Sequence, residues 1–254
     1  METKTLKLSG TKTIDQISLD FDLTGALWLV NGNNEIAQAI KIFQNRNEEL
    51  KDTYLQMPDG TILPDKIADF NHIGLIVQAM FQMEFKWKKL LFKKIPTYSF
   101  VDDTKMNCMI YEETQLPGCS IEAANIFTDI LYYKQRLQEG HCKNFIIGIP
   151  KFPKYNNDIV EYTKDTCGSV PYNYKNLTAF IKSLKTGEWK GDTTDDNLTC
   201  SEEIAHLLST LLDEWQDKGT YNYVELLDFF KEFYKIAPIH FFLTEWFDFY
   251  LIEG

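Results

Sequence analysis

The stretch ISLDFDLTGALWLV, residues 17–30, decides between two folds. Ile17, Leu19, Phe21 and Leu23 alternate with Ser18, Asp20, Asp22 and Thr24, the period-two pattern of a strand with one buried face. A Thr24-Gly25 turn and a return strand over ALWLV complete a predicted β-hairpin, with Asp20 and Asp22 together on its water-facing side. The strands of a doubly wound parallel sheet, buried on both faces, read instead as continuous apolar runs. The alternation therefore predicts an α+β fold over a doubly wound one.

Working outward, Ile36, Ala39, Ile40 and Phe43 predict a helix capped by Asn33 or Asn34, and Met57-Pro58-Asp59-Gly60 predicts a hairpin between TYLQ and TIL. From Asp65 to about Lys94, Ile67, Phe70, Ile73, Val77, Met80 and Phe81 fall at helical spacing, ending in the basic run KWKKLLFKK. Two strands, TYSFV and NCMIYEE, follow around a DDTK turn. A second long helix is expected over IEAANIFTDILYYKQRLQ, from a Ser120 cap to Gly140. NFIIGI at 144–149 reads as a buried strand, 151–172 as loop, and TAFIKSL as a short helix.

The polar run EWKGDTTDDNLT marks a boundary, dividing an α+β domain at 1–187 from an acidic helical part at 188–254, or punctuating one continuous domain. Beyond it Thr199 and Glu202 form a capping box for EEIAHLLSTLLDEWQ, whose Ile204, Leu207, Leu208, Leu211, Leu212 and Trp215 make one apolar stripe. YVELLDFFKEFYK and IHFFLTEWFDFYLI, the second opened by Pro238, are expected to be helical. The whole is an α+β fold: N-terminal β-hairpins with long helices, then a mainly helical acidic C-terminal part.

Charge divides along the same line. Residues 1–187 carry 22 basic and 22 acidic side chains, and residues 188–254 carry 4 basic and 15 acidic, so the whole net charge of −11 lies in the last segment. Such a face repels nucleic acid and membranes and attracts basic protein surfaces. Glu214, Asp217, Glu225, Asp228, Glu232 and Asp248, with Trp246, are the candidate partner-binding residues. The lysine run at 86–94, with Trp87 and Phe92, has the composition of a nucleic-acid contact, but the overall field opposes one, and pairing with the acidic part of the same chain is the competing reading.

Asp20-Phe21-Asp22 followed by Thr24, together with SFVDDTK at 99–105, resembles the motifs of haloacid-dehalogenase-type phosphatases. The resemblance implies a Mg²⁺-dependent enzyme with Asp20 as nucleophile, Asp22 beside it, and Asp102 and Asp103 as the metal-binding pair. The middle of that pattern is missing, because IGLIVQAMF offers no hydroxyl where the family needs one. Residues 20–60, with NGNNEIAQAIKIFQNRNEEL and MPDGT, resemble the start of baseplate wedge subunits of contractile phage tails and related secretion machines, which implies a structural role.

Other chemistry is thinly represented. Five scattered cysteines without a CxxC pair argue against a disulfide framework or a structural zinc site and suit a reducing compartment. Glu203 and His206 form half of a di-iron ExxH arrangement with no second half, and the adjacent His141 and Cys142 do not make a convergent thiol-protease pair. Phosphate-cradling glycine loops are absent. METKTLKLSG lacks an apolar signal core and no stretch is long enough to span a bilayer, so a cytoplasmic protein is expected. The sequence thus predicts a non-catalytic interaction protein without cofactor or metal, of inhibitor, immunity or phage-encoded assembly or anti-defence type, binding a basic partner. The alternative is the Mg²⁺-dependent phosphatase using Asp20, Asp22, Asp102 and Asp103.

Overall fold

The computed structural model describes residues 4–19, 22–33, 35–45, 51–90, 93–115, 123–169, 198–219, 221–232 and 236–253. In chain order the elements are β1 (Thr5–Lys7), β2 (Gly10–Thr13), α1 (Ile14–Leu19), β3 (Leu27–Gly32), α2 (Glu35–Gln44), β4 (Tyr54–Gln56), β5 (Ile62–Lys66), β6 (His72–Leu90) and β7 (Lys93–Gln115). There follow β8 (Ala123–Asp129), α3 (Ile130–Gln138), β9 (Cys142–Pro150), α4 (Asn156–Thr166), α5 (Cys200–Asp217), α6 (Val224–Phe230), α7 (Pro238–Phe241) and β10 (Phe247–Glu253). The fold is mixed α and β. A seven-stranded sheet runs in the order β2-β10-β9-β3-β6-β7-β8, antiparallel except for the β2–β10 pair, and β1, β4 and β5 form a separate three-stranded sheet.

Strand alternation sends each side chain to one of two cores. Leu27 and Leu29 of β3, Leu75 and Val77 of β6 and Tyr111 of β7 join the larger core beneath α4, α5, α6 and α7. Trp28, Val30, Ile76 and Ile110 point the other way, into a smaller core closed by Ile14 and Ile17 of α1 and by Ile130 and Tyr133 of α3. All six residues of β3 are buried, as a central strand covered on both faces requires. Gly74 lets β6 and β7 come together: a Cβ there would lie 2.5 Å from Ile110 Cγ2 and 3.0 Å from the Tyr111 carbonyl oxygen.

Several expected elements form. α2, the β4–β5 hairpin, β9 and α5 lie where the patterns put them, and the whole apolar stripe of α5 is buried. The Glu202 carboxylate accepts the Thr199 backbone N–H at 2.7 Å, closing the start of α5. Gly140 takes φ of +74° just past α3, as a helix stop requires.

The opening hairpin does not form. Residues 14–19 are helical, and the reciprocal bonds Gln16 N–H to Thr13 Oγ1 (3.2 Å) and Thr13 N–H to Gln16 Oε1 (2.8 Å) make a capping box that outweighs the alternation. Ile14 and Ile17, one helical turn apart, are buried, while Leu19 is 72% exposed. β3 pairs instead with β6 and β9.

The predicted helix over 65–94 is for the most part the 19-residue strand β6. Its helical spacing is one reading of a segment that also carries Ile73, Leu75, Val77, Ala79, Phe81, Met83, Phe85 and Trp87 at every second place. β-branched and aromatic side chains there favour the pleat. TYSFV, DDTK and NCMIYEE are one strand, β7, in which residues 103–106, the last three of DDTK and Met106, bulge between the pairs Ala79↔Asn107 and Phe81↔Asp102. The predicted helix over 121–138 divides at Asp129 into β8 and α3, because Asp129 Oδ1 caps the Leu131 N–H at 2.8 Å.

Residues 156–166, expected as loop, form α4. The C-terminal part contains helices and also a strand: WFDFYLI alternates, and β10 inserts between β2 and β9. Asp20, Ser120, the TAFIKSL helix and most of EWKGDTTDDNLT lie outside the described residues. No described helix is long and apolar enough to cross a membrane.

Candidate functional site

The acidic surface is built by α5 and α6. The apolar stripe of α5 fixes its inward side, so Glu214 and Asp217 emerge exposed near its C-terminus. Tyr223 N–H donates to Gln216 Oε1 at 2.7 Å and ties the start of α6 to the end of α5. Leu226 and Phe230 anchor α6 in the larger core, which turns Glu225 and Asp228 outward, with Glu232 exposed just beyond. Glu214, Asp217, Glu225 and Asp228 make no ion pair among the described residues. Tyr221, Val224 and Leu243 are exposed large apolar side chains of the same C-terminal segment. Trp246 is half-buried, its ring against Phe229 at 5.5 Å, so it floors this surface more than it projects from it. Asp248 stands apart on β10, 3.9 Å from Lys151 Nζ.

The aspartates of the phosphatase motif have other occupations. The segment preceding Asp20 is helical, and the large sheet lacks a central parallel strand among the described residues. Asp22 Oδ1 accepts from Lys154 Nζ at 2.9 Å and from Asn156 Nδ2 at 3.4 Å, bonds that hold its carboxyl below the usual range. Asp103 organises its own bulge, accepting from Asn107 Nδ2 (3.0 Å), Gln82 Nε2 (2.8 Å) and the Lys105 N–H (3.2 Å), and its carboxyl is likewise depressed, chiefly by Asn107. Asp102 is exposed beside it. Among the described residues no three His, Cys, Asp or Glu side chains converge to hold a metal ion.

The lysine run lies on a β-ribbon. From Phe81↔Asp102 outward to Leu90↔Lys93, β6 and β7 pair only with each other among the described residues. One face of this arm, with Phe85, Trp87 and Tyr98, packs on Ala124 and Ile126 of β8. Trp87 is thereby a packing residue, set edge-on to Phe85 at 5.3 Å. Lys86, Lys88, Lys89 and Lys94 are exposed, and Lys89 and Lys94 stand directly opposite each other.

Two buried polar clusters were not anticipated. On the larger-core side, Tyr111 Oη donates to Glu203 Oε1 at 2.5 Å, and Asn125 Nδ2 bonds Tyr111 Oη (2.5 Å) and Glu203 Oε1 (3.3 Å). Glu113 lies nearby, 2% exposed, with neither carboxyl oxygen hydrogen-bonded. Burial, then the charge of Glu203, pushes the Glu113 pKa well above the carboxyl range, and burial raises that of Glu203. His206 bonds Tyr162 Oη at 3.1 Å, so the ExxH pair serves two separate contacts.

On the other side of the sheet, His72 Nε2 lies 2.5 Å from Glu112 Oε2, which also accepts from Tyr133 Oη. Burial disfavours charge on His72, but Cys200 and Glu112 outweigh it and lift its pKa to about 10. The only sequence signal for either cluster is polar residues at core positions of strands, visible once the strands are assigned.

Burial raises the pKa of Cys142, and pushes those of Cys108 and Cys167 up to about 12. A cleft of about 430 Å³ lined by Met83, Met106, Cys108, Met109, Asp15 and Asp129 opens beside the β7 bulge, away from the acidic surface. No family model matches the chain, and no curated protein matches it.

Proposed function

We propose that this chain is a non-catalytic interaction protein whose acidic surface on α5 and α6 docks a basic protein partner, as an inhibitor, immunity or assembly component does. One observation carries the reading: Glu214, Asp217, Glu225 and Asp228 are exposed, without ion pairs among the described residues, in a segment that also exposes Tyr221, Val224 and Leu243. Exposed carboxylates that form no ion pair among the described residues steer a basic surface and fix its register, while the apolar side chains supply contact area. Trp246, packed on Phe229, lies at the margin of the candidate surface, whereas Asp248 stands apart beside Lys151.

The test is capture of partners from the native host by wild-type protein and by E214K/E225K/D228K. A partner retained by wild type, released by salt and lost by the variant supports the reading. A partner set identical for both proteins contradicts it. The phosphatase alternative has its own test: Mg²⁺-dependent turnover abolished by Asp20→Asn would replace the present reading.

A further inference from the structure

We infer that the basic surface engaged by the acidic α5–α6 face is the β6–β7 arm of a second copy of this chain, so that molecules associate head to tail. This rests on the interaction reading above and names its partner.

Charge complementarity carries the inference. The arm exposes Lys86, Lys88, Lys89 and Lys94, and no acidic residue occurs between Glu84 and Asp102. Lys88, Lys89 and Lys94 make no ion pair among the described residues, and no described ion pair joins the arm to α5 or α6. Among the described residues the basic run is therefore not paired with α5 or α6, and the arm packs its apolar face on β8. Among the described residues both halves of a complementary pair are left for contacts between molecules.

Position supports the same occupant. Lys89 and Lys94 are cross-strand partners, and like charges directly opposite each other destabilise a ribbon unless an anionic group answers them. Ile95, 38% exposed, is the cross-strand neighbour of Lys88, and Val101 is 48% exposed on the same arm; they match the exposed Tyr221 and Val224 of the acidic segment. Lysines on a ribbon whose outer edges pair with no other described strand also discourage strand addition, so charged side chains rather than edge-to-edge pairing make the contact. A head-to-tail contact is heterologous and closes into a ring or continues as a filament.

Sedimentation velocity of the full chain tests this at about 0.1 M and about 1 M salt, where the screening length falls from about 10 Å to about 3 Å. Wild type is expected to sediment as a dimer or larger at the lower salt and as a monomer at the higher. K88E/K89E/K94E and E214K/E225K/D228K, each folded by circular dichroism, are expected to be monomers alone and to associate when mixed in equal amounts, because the reversed arm of one fits the reversed face of the other. A wild type that is monomeric at both salts overturns the inference, as does association that survives the arm substitutions. If wild type is monomeric yet captures a foreign basic partner that E214K/E225K/D228K does not, the second-copy inference falls and the acidic-face reading stands.

Discussion

Replacing Glu113 by Gln removes one titrating proton from the pH dependence of folding. Glu113 is buried without a hydrogen-bond partner for either oxygen, and burial, then Glu203, raises its pKa well above the usual value. In the unfolded chain the same carboxyl ionises at about pH 4.3. Below that pH both states hold the proton. Above it the unfolded chain releases the proton while the folded protein keeps it, so stability falls as pH rises toward the elevated native value. One such proton is worth about 1.4 kcal/mol per pH unit.

Glutamine has the shape of glutamic acid and does not titrate. From about pH 5 to about pH 6.5, the unfolding free energy of E113Q should therefore fall with pH less steeply than that of wild type, by up to about 1.4 kcal/mol per unit. Glu203 contributes to both curves and cancels in the difference. His72, whose pKa is raised to about 10, contributes stability that is full below about pH 6.5 and lost as pH climbs through 10, a window above the pH range assayed. The assay is urea unfolding at half-unit pH steps with a constant denaturant slope. Parallel curves for the two proteins would refute the neutral state of Glu113.

Three further outcomes are expected. Gly74→Ala places a methyl 2.5 Å from Ile110 Cγ2 and should destabilise by about 1–3 kcal/mol in the same unfolding assay. Trp215→Ala empties the fully buried stripe end of α5 and removes the indole N–H bonded to Asp158 Oδ2 at 2.8 Å; a loss of about 3–5 kcal/mol is expected by denaturant unfolding. Asp103→Ala removes the acceptor that gathers Gln82, Lys105 and Asn107, so hydrogen exchange should quicken at the β7 bulge and stay unchanged at β9.

What could be read from the sequence was what local chemistry determines alone. The stripe of α5 and its Thr199 and Glu202 start, the Met57-Pro58-Asp59-Gly60 hairpin and the apolar run of β9 needed no partner to be recognised. Residues 65–94 failed because apolar side chains were dense enough to satisfy both periods, and strand pairing with β7 over most of that length decided the outcome. Residues 17–19 failed for the opposite reason. A nearby capping box, Thr13 with Gln16, outranked a longer-range alternation. The exposed carboxylates of α5 and α6 followed directly from helical spacing, whereas the Glu113, Glu203 and Tyr111 cluster depends on a register no single segment displays. DDTK combined both difficulties: its turn-forming residues were legible, but whether they end a strand or bulge within one depends on the pairing.

The central claim is that the acidic α5–α6 face is where this protein meets a basic partner. Zero-length carboxylate-to-amine cross-linking, read by mass spectrometry at moderate salt, tests it most directly. The expected intermolecular links join Glu214, Asp217, Glu225 or Asp228 to partner lysines, with Lys88, Lys89 and Lys94 of a second copy foremost. Links spread evenly over exposed carboxylates such as Asp15, Asp52 and Asp102, and no more frequent at α5 and α6, would contradict it.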